Sequence, residues 1–291
     1  MTQILSTLGE IAPRYDALFC DLWGCLHDGR RAFSDAVAAL RQFRADGGTV
    51  VLVTNSPRPR AAVRRQLAEL GAPEDCYDDI ASSGDAAQAA LAAGQFGRDV
   101  FHLGPERDLV FFQNEDGAAL DVNRVPLEQA ESIVCTGLFD DSTETPEDYR
   151  LTLMQAKQRG LKMLCANPDI VVDVGDTRIY CAGALAEFYT ELGGDARYFG
   201  KPHAPIYVLA RQRAEAITGG AIHDHAILCI GDGIATDIRG GVGEGLDTLL
   251  ITGGLAAQDT KTTADGPDPQ ALERFLKTHA LTPTAAMAYL R

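Results

Sequence analysis

The sequence predicts an α/β fold with a doubly wound, mainly parallel sheet. Residues 17–20, 50–53 and 226–230 are short unbroken apolar runs, and polar or glycine residues follow each run at once. That pattern is typical of buried parallel strands. Between the first two runs, residues 35–46 carry apolar side chains at three-residue spacing and lead into a glycine pair, as a helix does before its C-terminal cap. Together these segments predict a β-α-β unit.

The middle of the chain has an alternation of its own. Helices are expected near 84–93, 146–159 and 183–192, and strands near 99–103, 131–135 and 161–165. This alternation is long enough for an independent α/β unit. The sequence therefore predicts an inserted domain at 84–193 and a main domain built from 1–83 and 194–291.

Charge and hydropathy exclude several classes of partner. The formal net charge of −15 would repel a polyanion such as DNA and slow encounter with anionic lipid. The chain has no apolar run of about 18 residues and no basic segment leading into an apolar core at its start. We therefore expect a cytoplasmic protein with no nucleic-acid or membrane partner. A homo-oligomer is compatible with the sequence, which does not fix the oligomeric state.

Four segments carry polar side chains where the predicted strands end. They are 21–24 after the first strand, 54–56 after the second, 231–237 after a later strand, and 200–202. Ligands of doubly wound sheets collect where strands end and helices begin. We therefore expect these segments to form one site.

The residue types in these segments complement one another for phosphoryl transfer. That reaction needs a nucleophile, a metal ion to offset charge, and donors to the phosphate oxygens. Asp21 can attack phosphorus, and with Asp232 it can hold Mg²⁺, which favours carboxylate oxygens. Thr54 and Asn55 can donate hydrogen bonds to phosphate. Lys201 supplies a positive charge for both phosphate and nucleophile.

In this order and at these spacings, the segments resemble the haloacid dehalogenase (HAD) superfamily. Within it they resemble the NagD-like branch, subfamily IIA, which has a C2-type cap inserted between its second and third motifs. The resemblance covers nearly the whole chain and includes the stretches 80–91, 165–169 and 181–188. It implies a Rossmann-like core, a cap at 84–193 and hydrolysis of phosphate esters.

The resemblance also implies roles for individual residues. Asp21 would be the nucleophile that forms an aspartyl-phosphate, Thr54 would bind phosphate, and Lys201 would support both. Asp232 and Asp237 would belong to the acidic metal-binding motif. Whether Asp237 touches the metal or orients other ligands stays open.

Trp23 departs from the family pattern. Most phosphatases of the family carry a second aspartate at this position, which protonates the leaving oxygen and then activates water. Tryptophan can do neither, although its backbone carbonyl could still be the Mg²⁺ ligand that the resemblance implies. The indole could block the site by packing, or a ring of the substrate could stack on it. His27 and Asp28 are the nearest substitutes for the missing acid.

In the cap, Asn167 and Asp169 would face the site if the family geometry holds, where they could select the leaving group. A plain Asn-Pro-Asp turn is the alternative. The leading function is Mg²⁺-dependent hydrolysis of a small phosphorylated metabolite, such as a sugar phosphate. A catalytically weak protein that binds a phosphorylated ligand is one alternative, and a phosphotransferase is another.

Overall fold

The computed structural model describes residues 2–174 and 177–291. In chain order, the strands are β1 Gln3–Ile4, β2 Ala17–Cys20, β3 Thr49–Thr54, β4 Asp79–Ser82, β5 Asp99–Leu103, β6 Asn123–Arg124, β7 Ser132–Cys135, β8 Lys162–Cys165, β9 Val171–Val174, β10 Thr177–Tyr180, β11 Asp195–Tyr198, β12 Ile227–Gly231, β13 Asp247–Ile251 and β14 Ala285–Met287. The α-helices are α1 Ser34–Ala45, α2 Arg60–Glu69, α3 Ser83–Ala92, α4 Arg150–Gln158, α5 Ala182–Glu191, α6 Ala204–Thr218, α7 Arg239–Gly243 and α8 Pro269–His279.

The chain folds as two compact units. The first unit comprises Met1–Thr54, Arg64–Ala81 and Tyr207–Arg291, and the second comprises Asn55–Val63 and Ser82–Ile206. Each unit has a parallel sheet, so the α/β class predicted from the apolar runs is confirmed.

The sheet of the first unit has the strand order β1-β14-β13-β12-β2-β3-β4. Its centre consists of β12, β2 and β3, which pair in parallel and are buried on both faces. Burial on both faces explains why these strands read as unbroken apolar runs in the sequence. Because the three strands are parallel neighbours, their carboxyl ends lie at the same edge of the sheet.

The sheet of the second unit has the order β11-β8-β7-β5-β6, and β9 and β10 form a separate antiparallel hairpin. Its core contains apolar residues of β7, β8, α4 and α5, with Tyr189 fully buried among them. The hydroxyl of Tyr189 donates to the carbonyl of Leu161 at 2.6 Å, so this buried polar group is satisfied.

The bounds of the second unit differ from the 84–193 insert expected from the sequence. At its far end, β11 pairs in parallel with β8 and so extends the second sheet beyond residue 193. The unit also includes the distant segment Asn55–Val63. This segment is tied to α3, because the carbonyl of Ser56 accepts from the N–H of Gly84 at 3.0 Å.

The helices and strands expected from periodicity are present within a few residues of their predicted bounds. The sequence pattern missed several shorter or more exposed elements, namely β1, β4, β6, β11, β13, β14, the hairpin, α7 and α8. In the part of the chain that the structure describes, no helix is both long and apolar enough to cross a bilayer.

Candidate active site

Two neighbouring strands of the first unit place Asp21 and Asp232 side by side. Asp21 follows β2 directly, and Asp232 follows β12. These strands pair with Cys20 opposite Ile230, and the N–H of Asp21 continues the ladder by donating to the Ile230 carbonyl at 2.8 Å. The parallel register therefore brings both carboxylates to one edge of the sheet.

Asp237 completes a cluster of three carboxylates with Asp21 and Asp232. One carboxylate oxygen from each lies within 4.8 Å of the others, and all three residues are buried. Asp237 reaches the cluster because the chain after β12 forms a π-helical turn, Ile234–Ile238. Such turns occur often at functional sites.

Local hydrogen bonds hold the carboxylates of Asp232 and Asp237. Oδ2 of Asp232 accepts from the N–H of Leu255 at 3.0 Å. Oδ2 of Asp237 accepts from the N–H of Gly233 at 3.2 Å and from the hydroxyl of Thr236 at 3.1 Å. These bonds fix the orientation of both side chains.

Gly24 allows the chain after β2 to approach Asp232 closely. It has a φ of +69°, and a Cβ added to it would lie 2.2 Å from Oδ2 of Asp232. Any other residue would be strained in its backbone and would displace the carboxylate. The Asp-x-x-Gly spacing of the first segment therefore has a steric cause.

The cluster is chemically suited to a hard divalent cation. Three buried carboxylates in such proximity repel one another unless a cation lies between them. Burial raises the pKa of the neighbouring Cys25 thiol well above its ordinary value, and the negative charges of Asp232 and Asp21 add to this effect. An all-oxygen donor set is what Mg²⁺ and Ca²⁺ prefer.

Trp23 is half-buried, and its indole is held on two sides. Its ring meets that of His27 edge to face, with 5.2 Å between centroids. A Cβ added to Gly29 would lie 2.2 Å from the far edge of the indole, so the ring rests against the backbone there. Trp23 is therefore a packed residue of the loop after β2.

His27 is buried and serves this loop as a hydrogen-bond acceptor. Its Nδ1 accepts from the N–H of Gly29 at 3.1 Å, which requires the tautomer with the proton on Nε2. Burial lowers the pKa of His27 to about 4, so the ring is neutral at physiological pH. A neutral acceptor is a poor substitute for a general acid.

The second unit brings together Asn55, Asp169 and Lys201. The side-chain nitrogen of Asn55 donates to Oδ1 of Asp169 at 2.8 Å and to the carbonyl of Lys201 at 3.1 Å. The N–H of Lys201 donates to Oδ1 of Asn55 at 2.7 Å. Asn55 and Lys201 are buried. Sequence reasoning missed this contact, because nothing local signals a pairing across 146 residues.

Asn167 supports the turn that carries Asp169. Its Oδ1 accepts from the N–H of Asp169 at 3.0 Å, which is the geometry of an Asx turn. The carbonyl of Asp169 in turn accepts from the N–H of Gly183 near the start of α5, at 3.1 Å. These bonds fit the alternative reading of this segment as an Asn-Pro-Asp turn.

The structure thus places the predicted site residues in two groups. Asp21, Asp232 and Asp237 form the cluster in the first unit, where Thr54 is buried at the end of β3. The other group, in the second unit, consists of Asn55, Asn167, Asp169 and Lys201. The loop of Gly254 and Leu255, which contacts Asp232, carried no signal in the sequence.

Comparison with known proteins identifies the family. Residues 18–117 match the haloacid dehalogenase-like hydrolase model, and residues 198–278 match the HAD-hydrolase-like model. The chain is 30% identical over 286 residues to D-glycerol 3-phosphate phosphatase of Mycobacterium tuberculosis, covering 94% of this chain and 75% of that protein.

Solved structures of similar proteins support the same family. A hydrolase of the haloacid dehalogenase-like family from Brucella suis is 43% identical, with a TM-score of 0.85 over 99% of this chain and 100% of that chain. A glycerol phosphate phosphatase from M. tuberculosis, in complex with magnesium, shares the fold at 24% identity, with a TM-score of 0.65 over 94% of this chain and 79% of that chain. The protein belongs to the haloacid dehalogenase-like hydrolases, in the NagD-like phosphatase branch.

Proposed function

We propose that this phosphate-ester hydrolase cleaves small phosphate monoesters with Mg²⁺ and with Asp21 as its nucleophile. Hydrolysis of phosphate esters follows from the family. The metal and the nucleophile are supported by one observation, the buried cluster of Asp21, Asp232 and Asp237. Asp232 and Asp237 would hold the ion with Asp21, and the backbone carbonyl of Trp23 would be a further ligand. Bound Mg²⁺ would offset the negative charge of the carboxylates and phosphate oxygens.

In the proposed reaction, a carboxylate oxygen of Asp21 attacks phosphorus and forms an aspartyl-phosphate. The bond between phosphorus and the ester oxygen breaks, and the leaving oxygen takes up a proton from solvent water. Water then attacks the phosphorus of the intermediate, releases inorganic phosphate and restores the carboxylate. Thr54 and Lys201 are the proposed donors to the phosphate oxygens.

Trp23 bears on the rate of both steps. A positioned general acid–base contributes roughly 10²–10⁴-fold, and tryptophan cannot transfer a proton. We therefore propose that hydrolysis is slow, most of all for substrates whose leaving oxygen needs protonation. The same residue supports the alternative, a protein that binds a phosphorylated ligand and turns it over very slowly. Transfer of the phosphoryl group to an acceptor other than water is the remaining alternative.

The proposed substrates are sugar phosphates and related small metabolites. Similarity to a D-glycerol 3-phosphate phosphatase makes three-carbon phosphates the first candidates. The proposed cap, residues 84–193, would supply specificity through its side chains.

The test is a screen of the purified protein against a panel of phosphate esters, with Mg²⁺ and with a chelator, alongside Asp21→Asn. We expect phosphate release that requires Mg²⁺ and is absent in the variant. If a phosphorylated compound binds but no ester on the panel is hydrolysed at any Mg²⁺ concentration, the binding protein is the better account. Turnover that is unchanged by the chelator would refute the metal assignment.

A further inference from the structure

The side-chain amide of Asn55 is saturated by contacts within the second unit. An amide nitrogen has two hydrogens to donate. In Asn55, one is directed to Oδ1 of Asp169 at 2.8 Å and the other to the carbonyl of Lys201 at 3.1 Å. The sequence suggests that this side chain donates to phosphate. Both of its hydrogens are already used, so none is left for phosphate.

The orientation of the amide is determined by its neighbours. The N–H of Lys201 can only donate, and it lies 2.7 Å from the atom assigned as Oδ1 of Asn55. The carboxylate of Asp169 and the carbonyl of Lys201 can only accept, and both face the nitrogen. A flipped amide would replace all three bonds with like-to-like contacts.

The backbone next to Lys201 is packed tightly against this amide. A Cβ added to Gly200 would lie 2.4 Å from Oδ1 of Asn55 and 2.7 Å from the ring of Pro168. Gly200 therefore allows the peptide before Lys201 to contact both Asn55 and the turn that carries Asp169. The lysine backbone is held on both its N–H and its carbonyl, with little space to shift.

We infer that Asn55 is a positioning residue whose amide clamps the backbone of Lys201 and ties it to Asp169. The side chain of Asn55 then acts on phosphate only through Lys201. Asp169 serves the clamp by accepting from Asn55, which differs from the leaving-group selection suggested by the sequence. The effect of the clamp on catalysis depends on the proposed function of Lys201, whereas the clamp itself does not.

A double-mutant cycle tests the clamp through turnover. In Asn55→Asp, a carboxylate faces Asp169, and the bonds to Asp169 and to the Lys201 carbonyl are lost. We expect kcat to fall roughly tenfold to a hundredfold, since hydrogen bonds to charged groups are removed. Adding Asp169→Asn restores a donor opposite the new carboxylate, which can still accept from the N–H of Lys201. We expect the fall in kcat caused by Asn55→Asp to be at least about tenfold smaller when Asp169→Asn is already present.

The cycle separates the clamp from direct phosphate binding. An aspartate at position 55 cannot donate to phosphate in either background, so any loss that comes from direct phosphate binding persists in the double variant, and only the loss that comes from the clamp is recovered. Additivity would overturn the inference. Strong coupling, in which the second change offsets the first, supports it.

Hydrogen exchange tests the clamp without any need for activity. Asn55→Ala removes the acceptor of the Lys201 N–H, so exchange in a peptide covering residues 199–203 should accelerate. The double variant Asn55→Asp with Asp169→Asn keeps an acceptor at position 55, so its protection should be close to that of the parent. Asn114→Ala is the control, because this side chain also accepts backbone N–H groups in the second unit, at 3.0 and 2.8 Å. It should leave exchange in 199–203 unchanged. Unchanged protection in Asn55→Ala would refute the clamp. If the parent shows no turnover, the proposed function fails, and the exchange result still decides the inference.

Discussion

Replacing Trp23 by aspartate should turn a slow phosphatase into a faster one. Aspartate at this position would supply the group that protonates the leaving oxygen and activates water. The expected gain in kcat for alkyl phosphates is up to about 10²-fold, the lower end of the range for general acid–base catalysis. The gain in kcat/KM, which reports formation of the aspartyl-phosphate, should be small for an aryl phosphate, whose leaving oxygen is already stabilised.

The packing of Trp23 determines how much unfolding free energy the replacement removes. The indole packs against Gly29 and the edge of His27, so its loss leaves a gap in the loop after β2. Removing a fully buried tryptophan costs about 3–5 kcal/mol of unfolding free energy, and a half-buried one should cost about half of that. A protein of this size should stay folded, although a looser loop would offset part of the catalytic gain.

Trp23→Asn is the matched control, because it leaves nearly the same gap and cannot transfer a proton. The assay is steady-state hydrolysis of alkyl and aryl phosphates at saturating Mg²⁺, with thermal melting of both variants. The ratio of kcat between the aspartate and asparagine variants isolates the acid–base contribution. If both are folded and the ratio is one or less for every alkyl ester, the missing-acid account is wrong. Trp23 would then be a group that positions substrate.

Three further predictions concern other residues. Asp21→Asn should abolish phosphate release in the ester assay while the melting temperature stays close to that of the parent, and parent-like turnover would exclude Asp21 as nucleophile. Asp232→Asn should raise the Mg²⁺ concentration needed for half-maximal activity by at least about tenfold, since one of three carboxylates is lost; an unchanged Mg²⁺ titration would contradict the cluster as the metal site. Burial raises the pKa of Asp85 to about 6 from its ordinary 3.8, so its contribution to stability is present below about pH 4 and is lost as the pH rises through 6. Between pH 4 and pH 7 the free energy of unfolding of the parent should therefore fall by roughly 2–3 kcal/mol relative to that of Asp85→Asn, as measured by denaturant unfolding. If the unfolding free energies of the two proteins change in parallel with pH, this prediction is wrong.

The strands that position the carboxylate cluster could be predicted because strands buried on both faces consist of apolar residues. β2, β3 and β12 lie in the middle of a sheet and are apolar on both faces, so each forms an unbroken run. Short or partly exposed strands have a weaker apolar pattern. β11, with the sequence Asp-Ala-Arg-Tyr, is partly exposed and has no apolar run, and β14 is only three residues long.

The carboxylate cluster could likewise be predicted from the sequence, whereas the clamp could not. The acidic cluster follows from strand ends, because parallel register alone brings the residues after β2 and β12 together. The role of Asn55 depends on which atoms face its amide, and those atoms belong to residues 114 and 146 positions away. Composition and spacing carry no information about such a contact, so the sequence alone predicts a phosphate ligand at this position.

If Asp21 is the nucleophile, it should carry phosphate during turnover. With an aryl phosphate the leaving oxygen needs no protonation, so the aspartyl-phosphate should form quickly. Because Trp23 cannot activate water, breakdown of the intermediate should be slow, and phosphoenzyme should accumulate. Samples mixed with substrate and Mg²⁺, quenched rapidly in acid and analysed by peptide mass spectrometry, should carry phosphate on Asp21 in the parent and none in Asp21→Asn. Steady phosphate release with Asp21 unmodified at every quench time, or with phosphate on a different residue, would contradict the account.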